Sequence, residues 1–195
     1  MEINLCDWQK KMLEEVLDKL DRNTIKIIEE AVSVVRYGSE RIGNGHYREE
    51  THWVTISHGI QHPRYFIELV FHEIGHGVVD VLYKHKKISK EQSFDHLMAD
   101  GLPLILFYPE ALKLLGRKDI EEIYRKEVFG GKVPAIDIDA LVKKYEDIVK
   151  NELQEQIHSL EMQNVAPDTI KAEYEFATTL YEKQKDGYIK RFLKW

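Results

Sequence analysis

The sequence predicts a mainly helical α+β protein, with a small β-sheet ahead of a long central helix and a helical C-terminal portion. Three observations lead to this fold class. Apolar residues recur at helical spacing over most of the chain, a β-branched and aromatic stretch occupies 51–57, and an extended apolar pattern covers 64–85. A chain of 195 residues suits one domain, which we divide into a core, 1–130, and a helical portion, 131–195.

The segment before the central helix supplies the predicted sheet. Helical periodicity predicts a helix over residues 7–37, with a restart at Asn23-Thr24. The glycine-rich polar stretch 38–50 is predicted to be a loop. Residues 51–57, THWVTIS, are the clearest strand. This strand is either a plain structural strand or an edge strand to which an extended peptide could add.

The rest of the chain is predicted to be helical. Ser89 is the expected N-cap of one helix, with a bend or break at Gly101-Leu102-Pro103, and Asp139 is the expected N-cap of a later helix. The expected helices cover residues 64–85, 89–108, 109–127, 139–163 and 168–185.

Composition limits the kinds of partner and location. The formal net charge of −6 argues against nucleic acid or an anionic membrane as the main partner. Cys6 is the one cysteine, so no internal disulfide can form and a reducing compartment fits best. The N-terminus lacks an apolar signal-peptide region, and the longest apolar run, 102–107, is too short to span a bilayer. We expect a cytoplasmic protein, with its oligomeric state left open.

The strongest motif is H-E-x-x-H, formed by His72, Glu73 and His76. On a helix, the histidines at i and i+4 share a face, so both imidazoles can reach one metal ion. Glu73 lies beside them, where it can contact a metal-bound water without being a ligand. Gly75 and Gly77 flank the second histidine and weaken the helix, so they require a packing or functional reason.

A third ligand is needed, and residues 93–101 are its best source. His96 is the preferred candidate, with Asp100 one helical turn further on. Asp100 could accept a hydrogen bond from the second ring nitrogen of His72 or His76, the usual arrangement behind a metal-binding histidine. If His96 is not a ligand, Asp95 is the next candidate, followed by Glu173 and Glu175 from the C-terminal helix.

The two segments HEIGHGVVD and HLMAD resemble the active-site helices of the thermolysin-like zinc metallopeptidases, the gluzincins. That family has H-E-x-x-H on one helix and E-x-x-x-D on a later one, with the glutamate as third ligand. Here His96, twenty residues after His76, stands at the glutamate position, and Asp100 matches the aspartate. The resemblance covers residues 72–100. It implies a zincin-like fold whose catalytic core is residues 1–130, a Zn²⁺ cofactor and a peptide or protein substrate.

The resemblance implies metal-assisted hydrolysis of a peptide bond. A metal-bound water would attack the carbonyl, and Glu73 would take its proton and later pass it to the leaving amine. Three neutral imidazoles leave a zinc site at net +2, which acidifies bound water more strongly than a site with a carboxylate ligand. For the donor to the developing oxyanion, the sequence offers His158, Tyr174 and Tyr181 without choosing between them.

Two other functions remain open from the sequence. A ferritin-like di-iron carboxylate protein would combine two E-x-x-H motifs with a glutamate from each of two further helices. Its ligands would be Glu73 and His76, Glu155 and His158, Glu29 or Glu30, and Glu173 or Glu175. A zincin-like module that binds a peptide or partner without hydrolysis is the second alternative.

Overall fold

A four-stranded β-sheet and a set of helices make up the fold in the computed structural model, which describes residues 1–38, 44–59, 62–163 and 165–189. The strands are β1 (Glu2–Asn4), β2 (Val34–Tyr37), β3 (Gly45–Arg48) and β4 (Trp53–Ile56). The helices are α1 (Asp7–Leu17), α2 (Arg22–Ala31), α3 (Pro63–Lys84), α4 (Lys90–Ser93), α5 (His96–Phe107), α6 (Ala111–Leu114), α7 (Lys118–Ile123), α8 (Ile138–Met162) and α9 (Pro167–Gln184), and a π-helical turn (Tyr124–Val128) follows α7. The predicted α+β class is confirmed.

The sheet places its antiparallel strand at the edge. Its order is β1-β2-β4-β3, with β1, β2 and β4 parallel and β3 antiparallel to β4. His46 of β3 lies opposite Thr55, and Tyr47 lies opposite Val54. The strand predicted at 51–57 is confirmed as β4, but its interpretation as an edge strand is wrong because β2 and β3 pair with its two sides.

Two predictions in the N-terminal third are wrong. The helix predicted to reach residue 37 ends at Ala31, and Val34–Tyr37 form β2 instead. β-Branched valines fit a pleated strand between two neighbours better than a helix turn. The loop predicted at 38–50 contains β3, although its residues 39–43 lie outside the described part of the chain. The restart of the helix is capped by Asp21, which accepts from the backbone N–H groups of Asn23 and Thr24.

Helices α3 and α5 cross in close contact, and two residues make this possible. A side-chain Cβ at Gly75 would overlap the carbonyl of Ala99. Pro103, four residues after Ala99 inside α5, has no backbone N–H to donate to that carbonyl. The carbonyl therefore faces the glycine backbone of α3 at a distance that no other residue allows.

Gly75 and Gly77 of α3 thus have a packing reason, which is one of the two reasons, packing or function, that the sequence analysis considered. A Cβ at Gly77 would crowd the ring of Tyr47 and the carbonyl of Ala31. Of the bend or break predicted at 101–103, the break is wrong, because α5 continues through Pro103 to Phe107. The interruption falls instead at Phe94-Asp95, between α4 and α5.

Helix α8 begins against the core and then leaves it, and α9 returns to the core only in its last turns. The N-cap of α8 is Asp137 rather than the predicted Asp139, which pairs with Arg64. The buried side chains of α8 end at Val149, and α9 has buried side chains only at Tyr181 and Gln184. Ser89 caps α4 as predicted, by accepting from the N–H of Gln92. Within the described residues, no helix has both the length and the apolar character needed to cross a membrane.

Candidate metal centre

Three histidines from two helices converge at one point. His72 and His76 lie one turn apart on α3, and His96 is the first residue of α5. One ring nitrogen from each of the three lies within 4.8 Å of the others. The Nε2 atoms of His72 and His76 are 3.2 Å apart. Tetrahedral zinc–nitrogen bonds would place two ligand nitrogens roughly 3.3 Å apart, so this pair has the spacing of two ligands of one ion.

Asp100 lies behind two of these histidines. Its Oδ1 atom is 2.7 Å from Nδ1 of His72, and its Oδ2 atom is 3.6 Å from Nδ1 of His96. A carboxylate beside Nδ1 of His72 favours the tautomer that carries the proton there, which leaves the Nε2 lone pair facing the cluster. The sequence analysis expected Asp100 to contact His72 or His76, and the structure has the contact with Nδ1 of His72.

The surroundings of His76 favour its neutral form. Burial lowers the pKa of His76 to about 4, with a further contribution from the positive charges that His72 and His96 would carry. At neutral pH the imidazole is therefore unprotonated, as a metal ligand must be. His72 is fully buried, whereas 61% of the His96 side chain is exposed. The cluster is thus enclosed at His72 and open to solvent at His96.

Glu73 is buried next to the histidines, with only 5% of its surface exposed. Its side chain packs against the backbone of Gly45, where an added Cβ would lie 2.8 Å from the Glu73 Cγ atom. Glycine at the start of β3 therefore leaves space for the glutamate. Glu73 lines the same cavity as the three histidines but is not part of the cluster.

A cavity of about 570 Å³ contains the cluster and Glu73. The edge strand contributes one wall, including His46 and Tyr47, and α3 contributes Asp80. Burial raises the pKa of Asp80, and the charge of Glu49 raises it further. The remaining wall includes Tyr188, from the turn after α9. The arrangement places three candidate metal ligands, a carboxylate and an edge strand in one concave site.

The sequence analysis missed several residues of this cavity, among them His46 and Tyr188. The sequence of Gly45–Arg48, GHYR, gave no clear signal for His46, because it lacks the alternation of polar and apolar residues that is typical of a strand. No local signal pointed to Tyr188, since its place depends on contacts with residues more than one hundred positions away.

The alternative third ligands lie elsewhere. Asp95 caps α5 by accepting from the N–H of Leu97, and it pairs with Arg117 at 2.8 Å. Glu173 and Glu175 are exposed on α9, and Glu175 lies 3.9 Å from Lys171. Among the residues that the structure describes, the group placed to share a metal ion is His72, His76 and His96.

The remaining candidates are also distant from the cluster. Glu155 is exposed, and His158 has 72% of its side chain exposed and contacts Glu161 on the distal part of α8. Tyr174 is exposed, and Tyr181 packs against the ring of His62. In the described part of the chain, none of the residues predicted to donate to an oxyanion lines the cavity.

The fold and the site together define a mainly helical α+β protein whose three-histidine cluster could hold a metal ion. Comparison with known proteins gave no match to any family model, curated protein or solved structure.

Replacing Asp100 with asparagine is expected to weaken zinc binding roughly 10- to 100-fold, because the carboxylate is within hydrogen-bond distance of Nδ1 of His72 and lies close to Nδ1 of His96. The dissociation constant can be measured by competition with a chromophoric chelator. Asp168→Asn, at an exposed position of α9, is the matched control. An unchanged dissociation constant for Asp100→Asn would show that the carboxylate does not orient the ligands.

Proposed function

We propose that the protein is a zinc-dependent metallopeptidase whose metal ligands are His72, His76 and His96. The observation that carries the proposal is the convergence of these three ring nitrogens next to Glu73 in a concave site. The zincin-like fold is part of the proposal. It is supported by the antiparallel edge strand beside α3 and by two crossing helices that carry the ligand candidates. The location in a reducing compartment stays a prediction from the sequence.

In this proposal each residue has a defined task. A bound zinc ion would polarise the scissile carbonyl and lower the pKa of the attacking water. Glu73 accepts the proton of that water and passes it to the nitrogen of the leaving amine as the peptide bond breaks. The pocket around Glu73 excludes bulk water from one side of the carboxylate, which keeps the proton transfer local. Asp100 holds the Nδ1–H of His72 throughout.

The substrate is a peptide in extended form, bound along β3. One side of β3 pairs with β4, so its other side is an edge that offers backbone hydrogen bonds to an added strand. Asn44 and residues of β3 line the same cavity as the histidines, so a peptide on this edge passes over the cluster. This moves the β-addition surface from residues 51–57, where the sequence analysis considered it, to β3.

The test combines metal analysis with turnover. We expect purified protein to contain one zinc ion per chain and to cleave members of a quenched-fluorescent peptide library. Chelation should remove cleavage, and added zinc should restore it. Two iron atoms per chain would favour the di-iron alternative, and bound zinc without cleavage of any library member would favour the non-catalytic binding module.

A further inference from the structure

Glu68 is a fully buried carboxylate that the proposed mechanism does not use. It lies on α3, one helical turn before His72. Burial raises its pKa, while its hydrogen bonds lower the pKa in part. Tyr108 donates its hydroxyl to Glu68 Oε1. Burying a carboxylate costs free energy unless both of its oxygens accept hydrogen bonds. The donor to the second oxygen therefore indicates the role of Glu68.

The second oxygen binds the backbone of the turn that follows α9. The N–H of Ile189 donates to Glu68 Oε2 at 2.8 Å, and the backbone N–H of Tyr188 also donates to the carboxylate. Gly187 has a φ of +81°, in the left-handed region, and a Cβ there would overlap the carboxylate. Successive N–H groups directed at one anion form a backbone nest, which binds a carboxylate tightly. Residues 187–189 are therefore wrapped around Glu68, and we call them the nest turn.

The nest turn places Tyr188 beside the candidate ligands. The ring of Tyr188 has its centroid 5.0 Å from that of His72, and 5.7 Å from that of Tyr65, which it meets edge to face. The same side chain lines the cavity that holds the cluster and Glu73. Glu68 thus connects, through one short turn, the last described residues of the chain to the centre of the site.

We propose that Tyr188 contacts the substrate as a wall of the cavity and that Glu68 is the positioning residue that holds it there through the nest turn. The proposal rests on the metallopeptidase function proposed above. It makes the turn after α9, far from the H-E-x-x-H motif in sequence, part of the substrate-binding site. Since a small displacement of a substrate-positioning group can strongly slow a reaction, loss of either residue should reduce turnover without removing the ligands.

The first test is a double-mutant cycle on kcat/KM. We expect Tyr188→Ala to lower kcat/KM for library peptides roughly 10- to 100-fold, with the zinc dissociation constant unchanged. Glu68→Gln should also lower kcat/KM. Because Glu68 acts through Tyr188, the double variant should lose no more than Tyr188→Ala alone. Independent, multiplicative losses would overturn the positioning role, and wild-type kcat/KM in Tyr188→Ala would overturn the contact.

Glycine variants test the nest turn without altering the buried carboxylate. Gly187→Ala puts a methyl group against Glu68 at a positive φ. Gly116→Ala is the matched control, because Gly116 has a similar φ of +71° and open space around its Cβ. We expect Gly187→Ala to reproduce the kcat/KM loss of Tyr188→Ala, and Gly116→Ala to retain wild-type kcat/KM. Equal kcat/KM for the two glycine variants would overturn the proposal.

A readout independent of turnover completes the test. With Co²⁺ as the probe and ¹³C-labelled tyrosine, rings close to the ion give shifted resonances, and the signal missing from Tyr188→Phe identifies Tyr188. We expect a shifted Tyr188 signal in the wild type and in Gly116→Ala, and its loss in Gly187→Ala and Glu68→Gln. A shift that persists in both of these variants would overturn the proposal. Absence of turnover in the wild type would overturn the proposed function, and the cobalt shift would still decide the place of Tyr188.

Discussion

Replacing Glu73 with glutamine is expected to lower kcat roughly 10²- to 10⁴-fold while zinc remains bound. Glutamine keeps the size of the buried side chain and its packing against Gly45, but it cannot accept the proton of the attacking water. The substitution leaves all three histidines in place. Steady-state kinetics with a library peptide that the wild type cleaves, together with zinc analysis of the same sample, measures both effects.

Glu110→Gln is the control for this experiment, because Glu110 is exposed at the start of α6. It removes one negative charge from the protein but leaves the cavity untouched. Wild-type turnover in a zinc-loaded Glu73→Gln protein would show that another group accepts the proton, and the role assigned to Glu73 would have to be abandoned. Loss of zinc from that variant would instead make Glu73 part of the metal shell.

The second large effect is expected from His96→Ala, which should raise the zinc dissociation constant about a hundredfold or more. The free energy of zinc binding in structural sites with four protein ligands is about 10–16 kcal/mol, which is roughly 3 kcal/mol for each ligand. Removing the imidazole of His96 should cost a share of that size, which corresponds to a factor of about a hundred in the dissociation constant. Because 61% of the His96 side chain is exposed, the substitution leaves little empty space in the core. The unfolding free energy should therefore change little in the absence of metal.

Two comparisons make the His96 result specific. His158→Ala removes an exposed histidine from the distal part of α8 and should leave zinc affinity unchanged. Asp95→Asn retains the side-chain oxygen that caps α5 but removes the charge of the competing ligand candidate. Full zinc affinity in His96→Ala, with a loss in Asp95→Asn, would replace His96 by Asp95 in the proposed site.

The parts of the fold that sequence could predict are those with a strong local pattern. The central helix α3 was predicted almost to its ends, because Pro63 starts it and apolar residues continue along it. Strand β2 was not predicted, because Val34 and Val35 continue the apolar pattern of α2. Only their pairing with β1 and β4 makes them part of a strand. β3 was missed because a short strand at a sheet edge carries little apolar signal.

The site shows the same division. The spacing of His72 and His76 made a shared helix face predictable, and the resemblance to the gluzincins implied His96 as a third ring near them. The path of α5 was less predictable, since proline usually breaks a helix and here lies within one. The position of Tyr188 could not be foreseen from the sequence. It depends on two residues far apart in the chain, the buried carboxylate of Glu68 on α3 and the left-handed Gly187 after α9.

The close crossing of α3 and α5 would give a metal ion bound at the candidate centre an effect on the stability of the fold as well as a chemical role. Two ligands lie on one helix and the third on the other, so a bound ion joins the two helices as a crosslink. An ion that binds the folded chain alone stabilises it in proportion to the logarithm of its free concentration over the dissociation constant. The supply of zinc would then affect what fraction of the protein is folded, in addition to whether the protein is active.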